Sequence, residues 1–302
     1  MLTNFNNSLK NIDFFISYHP LAQPTNALMK PPKSCTLFIY TALPCEAKPL
    51  VAHFSLKKAT AIQPFAVYIN AEICLTVTGP GKSAMAAGIA YAQALFAALP
   101  HPVLMNIGIA GHKDHALGRL FLIDKIIDRD SGRNHYPPLL YKPPCATGSV
   151  QTASIPQLAY DQPHLYDMEA SAFYETASRF SSGELIQCLK VISDNQLSPA
   201  INLQPKQVSE LIAAHISSLE TVMTKTAALA AVLHTAEPQH FKQLINDYRF
   251  SVSEQLQLQN QLARWAILTD GQALKLEGMS FTKGKDVLRW LELEINKTDF
   301  CL

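Results

Sequence analysis

The sequence predicts a three-layer α/β domain around a central, largely parallel sheet, followed by a helical appendage. Short β-rich apolar runs alternate with helical segments from Thr36 to His234, the pattern of strands covered by helices on both faces. The chain has 302 residues, 48% of them hydrophobic and 16% charged, which suffices to bury a large core. After Ala236-Glu237-Pro238 no further strand-like run occurs and only helical spacing continues.

Residues 1–34 read as a separate N-terminal arm, because Pro20, Pro24, Pro31 and Pro32 interrupt any helix there. Thr36 to Thr41 is a short apolar strand, and Cys45 to Phe54 a helix with Glu46 in its first turn. Ala66–Asn70 and Ile73–Thr78 are two tightly joined strands. Alanine-rich Ser83–Ala98 is a helix by propensity, and Val103–Ile107 and Leu120–Ile127 return to strand. Asp130-Ser131-Gly132-Arg133 is a turn. Met168–Phe180 is helical, Leu185–Ile192 a buried strand, and Gln207–His234 one long helix. This gives a domain over 35–235. In 236–302, helices are expected over Phe241–Tyr248, Ser253–Leu268 and Lys285–Ile295, with Ser251 or Ser253 capping the middle one and Asp270-Gly271 ending it.

A net charge of +1 gives no electrostatic reason to expect nucleic acid or an anionic membrane as partner. No run approaches bilayer length, and Phe14–Tyr18 is too short for a secretory h-region. Six cysteines without a C-x-x-C pair suit reduced thiols, so the expectation is a cytoplasmic protein.

The most informative stretch is Tyr166-Asp167-Met168-Glu169-Ala170-Ser171-Ala172 followed by the run from Ile186 that ends in Ser193-Asp194. It sets Glu169 at a helix start and Asp194 at a strand end, and open α/β sheets bind ligands at the carboxyl ends of their strands. With Thr41-Ala42-Leu43-Pro44-Cys45-Glu46, Thr78-Gly79-Pro80-Gly81-Lys82 and Asn106-Ile107-Gly108-Ile109-Ala110-Gly111, these segments resemble the nucleoside phosphorylase superfamily. Within it they are most similar to the methylthioadenosine/S-adenosylhomocysteine nucleosidases. The resemblance covers roughly residues 35 to 230 and implies a three-layer fold with a central mixed sheet, a small-molecule purine nucleoside substrate, no cofactor, and a homodimer.

Breaking an N-glycosidic bond asks for an acid to protonate the departing base and for stabilisation of a cation-like sugar. The resemblance assigns these roles. Asp194, with Ser193 beside it, matches the acid that delivers a proton to N7 of the purine; burial after an apolar run would favour its protonated form. Glu169 matches the carboxylate that binds the ribose hydroxyls, and Met168 the thioether against the sugar face. Glu46 matches the group that activates water. Thr78 stands where a hydroxyl faces water or ribose, Gly79 and Gly111 where backbone approaches ligand, and Gln151 where an aromatic would stack on the base. Without the resemblance, Glu46 and Glu169 read equally as acids complementing helix dipoles, and Asp194 as a helix cap.

Phosphorylases of the superfamily hold phosphate with arginines. The segments 41–48, 78–83 and 106–113 carry only Lys48, Lys82 and Lys113, and a lysine lacks the planar fork of arginine, so hydrolysis is favoured. Phosphorolysis with phosphate as second substrate, and a noncatalytic nucleoside-binding or scaffold protein, remain the alternatives. T-G-P-G-K-S lacks the first glycine of an ATPase loop, since position 76 is Thr76. His112 and His115 have no third ligand at recognisable spacing, so a solvated loop is expected there and no metal site. The span from Asp124 to the M-E-A segment is shorter than the family pattern, which alters the wall around the base.

Overall fold

A computed structural model describes residues 35–62, 64–96, 101–157, 159–234, 238–276, 279 and 281–298. The expected arm over 1–34 lies outside them. The strands are β1 (Leu37–Thr41), β2 (Lys57–Lys58), β3 (Ala66–Ile69), β4 (Ile73–Val77), β5 (Val103–Gly111), β6 (Leu120–Asp128), β7 (Asn134–His135), β8 (Ala146–Thr152), β9 (Leu165–Asp167) and β10 (Ile186–Asp194). The helices are α1 (Pro44–His53), α2 (Lys82–Phe96), α3 (Ala170–Ala177), α4 (Pro205–Ala213), α5 (Ile216–His234), α6 (Phe241–Asp247), α7 (Val252–Leu268) and α8 (Gly284–Lys297).

The strands form one mixed sheet in the order β10-β6-β8-β9-β5-β1-β4-β3-β2, with β7 on β6. β10 also pairs with β5, so β5, β10, β6, β8 and β9 close into a ring beside the open part of the sheet. The β1–β4, β1–β5 and β5–β10 pairs are parallel, which brings the carboxyl ends of β1, β4, β5 and β10 to one edge.

Strand alternation sorts the core. On β1, Phe38 and Tyr40 join the cluster that holds Met85 and Ile89 of α2 and Phe173 of α3, while Leu37 and Ile39 join Leu50 of α1, Ile212 of α4 and Val222 of α5. A fully buried side chain of this size stabilises the fold by roughly 1.5–3 kcal/mol. On β10 the even residues Ile186, Cys188 and Ile192 face α2 and α3, and Lys190 shares their face.

Several expectations need correction. The segment 207–234 is two helices, because Ala214 and His215 turn the chain: the His215 amide bonds Ile212 O, and its Nε2 lies 2.6 Å from Gly118 O, tying the break to the loop before β6. Thr147–Gln151, a segment to which the sequence assigns no strand, is part of β8, paired with β6 and β9. The helix expected over Met168–Phe180 is the shorter α3, with Glu169 at its N-cap, the helix start expected of it.

The helices α6 to α8 pack around their own apolar centre of Leu244, Leu258, Leu262, Leu274, Val287, Leu288, Leu291 and Ile295. Ser251 caps α7: its Oγ accepts the Glu254 amide at 3.3 Å while Glu254 Oε2 accepts the Ser251 amide at 2.7 Å.

Candidate active site

At the carboxyl ends of β1, β5 and β10 lies a cleft of about 170 Å³. Glu46, Gly111, Met168, Glu169, Ser193 and Asp194 all line it, as do Pro156 and Gln157 from the segment after β8. Asp167 borders it as well, so four carboxyls from three separate stretches of chain meet in one place.

Glu46 is 2% exposed. Its Oε2 accepts the amides of Ala42 (2.9 Å) and Leu43 (2.8 Å), and its Oε1 accepts the amide of Ile109 (2.9 Å). These bonds brace the turn after β1 against β5, a structural task performed by the same atoms that border the cleft. Burial raises its pKa, opposed by the Lys190 charge and by the three amides. A methyl at Gly108 would stand 2.8 Å from Glu46 Oε1 and 3.5 Å from Lys190 Nζ, so only glycine leaves room for both.

Glu169 reaches the Gly-rich turn: its Oε1 accepts the Gly81 amide at 2.7 Å. Gly79 and Gly81 have φ of 87° and 94°, the left-handed conformation that directs this amide inward. Burial, then the neighbouring Asp167 charge, pushes the Glu169 pKa up to about 7. Beneath it Lys190, 1% exposed, pairs with Asp167 Oδ2 at 2.8 Å. Burial works against the ammonium, but Asp167 outweighs it and holds the pKa above the ordinary lysine value. Asp167 is fixed in turn by Thr152 Oγ1 (2.7 Å) and the Ala170 amide (2.8 Å). The region therefore gathers Glu46, Asp167 and Glu169 around one lysine, a surplus of carboxyls that suits a cation-like ligand.

Asp194 has both oxygens engaged. Ser193 Oγ donates to Oδ1 at 2.5 Å, and the Tyr160 hydroxyl donates to Oδ2. A methyl at Gly111 would come within 2.5 Å of Asp194 Oδ2 and 2.8 Å of Tyr160 Cε1, so this glycine admits acid and phenol together.

Lys190, Asp167 and Tyr160 are the residues that sequence reasoning missed. A lysine inside the run Ile186–Ile192 was the available signal for the first, since an unpaired charge there would be prohibitively costly. Three expected residues do not border the cleft. Thr78 turns away: its hydroxyl lies 2.9 Å from Gly79 O and 3.2 Å from Thr41 O, and its methyl packs on α2, where a methyl at Gly88 would approach it to 2.5 Å. Gly79 shapes the turn without lining the cavity, and Gln151 is held in register between Ile127 and Tyr166. His112 lies in the expected loop, where Lys113 and Asp114 are exposed, but its own ring is buried. It is 5% exposed, its Nδ1 accepts the amides of Asp114 and His115 at 3.0 Å, and its ring stacks on His115 at 3.8 Å.

Solved structures share this arrangement of sheet and helices. The 5′-methylthioadenosine nucleosidase of Arabidopsis thaliana in its apo form superposes with a TM-score of 0.51 at 17% identity, over 65% of this chain and 96% of that one. The fold is that of the methylthioadenosine/S-adenosylhomocysteine nucleosidases. A further nucleosidase of this kind gives 0.52 at 14% identity, over 64% of this chain and 96% of that one. The enzyme of Colwellia psychrerythraea in complex with adenine gives 0.50 at 16% identity, with the same coverage. No protein-family model and no curated protein matches the sequence. The nucleosidase fold places Asp194 and Glu169 at the carboxyl edge of its sheet, where ligands of α/β proteins bind.

Proposed function

We propose that the chain hydrolyses the N-glycosidic bond of a purine nucleoside of the methylthioadenosine/S-adenosylhomocysteine type. One observation carries the reading: Glu46, Glu169 and Asp194, from three different connections, border a single cleft. In the reaction the bond from the sugar carbon to the purine nitrogen breaks and its electron pair leaves with the base. Asp194 supplies the proton that neutralises the base, Glu169 accepts hydrogen bonds from the ribose hydroxyls and opposes the growing positive charge, and Glu46 takes a proton from the attacking water. Lys190, buried beside Glu46 and Asp167, favours the ionised form of Glu46 that this step needs.

Hydrolysis is preferred to phosphorolysis because, among the described residues, no arginine or lysine borders the cleft, and the lysine of the Gly-rich turn is paired with carboxylates. Lys82 Nζ lies 2.5 Å from Asp128 Oδ2 and 2.7 Å from Asp130 Oδ2. Arg133 pairs with Glu175 at 2.6 Å, and Arg129 bonds the side chain of Gln157. A homodimer, a cytoplasmic location and an appendage over 236–302 that takes no part in the chemistry belong to the same reading.

The deciding experiment is release of free base from methylthioadenosine and S-adenosylhomocysteine with and without phosphate. Release independent of phosphate is expected, with Asp194→Asn and Glu46→Gln each lowering the rate roughly 10²- to 10⁴-fold. Release that requires phosphate would replace the hydrolase with a phosphorylase, and binding without turnover would make the chain a noncatalytic nucleoside binder.

A further inference from the structure

We infer that Tyr160 is a gate: its phenol is docked on Asp194 and against Gly111, two residues that border the cleft, and an incoming ligand must displace it. The tyrosine is 2% exposed, its hydroxyl donates to Asp194 Oδ2, and its ring stands edge-on to Tyr166 at 6.2 Å. Its Cε1 lies over Gly111, only 2.8 Å from where a methyl there would be. The phenol therefore covers the acid on the side where glycine opens the wall.

Two further observations make this an occupied state and not a finished wall. The space left is about 170 Å³, below the roughly 300–1,000 Å³ of ordinary small-molecule sites. Tyr160 also has φ of 45°, a left-handed backbone that is strained for a bulky residue and persists only where surrounding contacts hold it. Its polar ties include the hydroxyl on Asp194, a bond to the Ala200 backbone, and Gln196 Nε2 at 3.4 Å from the Tyr160 carbonyl, with the ring edge-on to Tyr166. Exchanging the phenol for a ring that presents its own hydrogen-bonding edge to Asp194 keeps the carboxyl satisfied and relieves the backbone. The inference rests on the nucleoside reading only for the identity of that ring.

The test uses the full chain, unliganded and with adenine as probe, comparing wild type with Tyr160→Phe, which keeps the ring packing, and Asp194→Asn, which exchanges the accepting carboxyl for an amide. Hydrogen exchange followed by mass spectrometry reads the amides of 159–162, and calorimetry reads adenine binding. In Tyr160→Phe, exchange is expected to rise on the order of tenfold and adenine to bind severalfold more tightly, because less of the protein is held in the closed state. Asp194→Asn should also loosen 159–162, and adenine should do the same to wild type. Unchanged exchange in both variants would overturn the gate, as would adenine that binds wild type yet is not tightened by Tyr160→Phe. If exchange rises but no protein binds adenine or a nucleoside, the gate stands and the nucleoside reading falls.

Discussion

Two single residues set the chemistry that the cleft can support. Gly111 separates Asp194 from the Tyr160 ring with no space to spare, so Gly111→Ala must push the carboxyl or the phenol aside. A displacement of about an ångström at a reacting group costs on the order of a hundredfold in rate. The expected outcome is base release reduced at least that much with the far-ultraviolet circular dichroism unchanged; full activity in Gly111→Ala would remove Asp194 from the reaction. Glu169 carries a different signature. Its folded pKa is raised from 4.5 to about 7, chiefly by burial and then by Asp167. The folded state therefore binds more protons than the unfolded state between those values, and the stability contributed below the unfolded pKa is lost as pH rises toward 7. Glu169→Gln lacks this dependence, so the Tm of the variant relative to wild type should climb between pH 5 and pH 8, a trend that thermal melts in matched buffers would show or refute. Most of the candidate site was legible because glutamate before an alanine-rich helix and aspartate after an apolar strand are local features. Lys190 and Tyr160 were not, since pairing across the sheet with Asp167 and folding back onto Asp194 are tertiary events that leave no mark in spacing.

At the level of elements, β1, β4, β5, β6 and β10 were readable because each carries a run of apolar, largely buried residues that polar residues such as Asp124 and Lys190 interrupt only briefly. Strand β8 was not, because Ala146-Thr147-Gly148-Ser149-Val150-Gln151-Thr152 has neither a continuous apolar run nor clean alternation, and it gains its place only by pairing with β6 and β9. Strand β9, three residues long, carries too little pattern to register. The break between α4 and α5 was hidden for the opposite reason: the apolar period continues across Ala214 and His215, and the bend is enforced by the bond of His215 to the carbonyl of Gly118. Replacing His215 with alanine removes that tie, and a loss of about 1 kcal/mol is expected, measurable by urea unfolding; an unchanged midpoint would mean that the turn is set by α4 and α5 alone. The cap of α7 was readable in the sequence, since Ser251 and Glu254 have the spacing of a capping box.

For the molecule as a whole, the nucleosidase neighbours cover about 65% of the chain and nearly all of their own length, so about a third of this chain has no counterpart in them. The helices α6 to α8 bring their own apolar centre, in which Leu258 and Leu291 are 0% exposed. None of the residues that border the cleft comes from 238–298. If the appendage is energetically separate, damage to its centre should be felt there and not at the cleft. Leu291→Ala removes buried methyl groups at a cost of roughly 2–5 kcal/mol, which for a three-helix unit of this size is a large part of any stability it has. The expected outcome is an unfolding transition of 238–298 at lower temperature or denaturant, followed by the fluorescence of Trp265 and Trp290, both of which pack on this centre. Base release per mole of protein should remain at the wild-type level. A parallel fall in base release, with adenine binding weakened in proportion, would instead show that the helices support the cleft through the nucleosidase fold, and the chain would have to be treated as one cooperative unit.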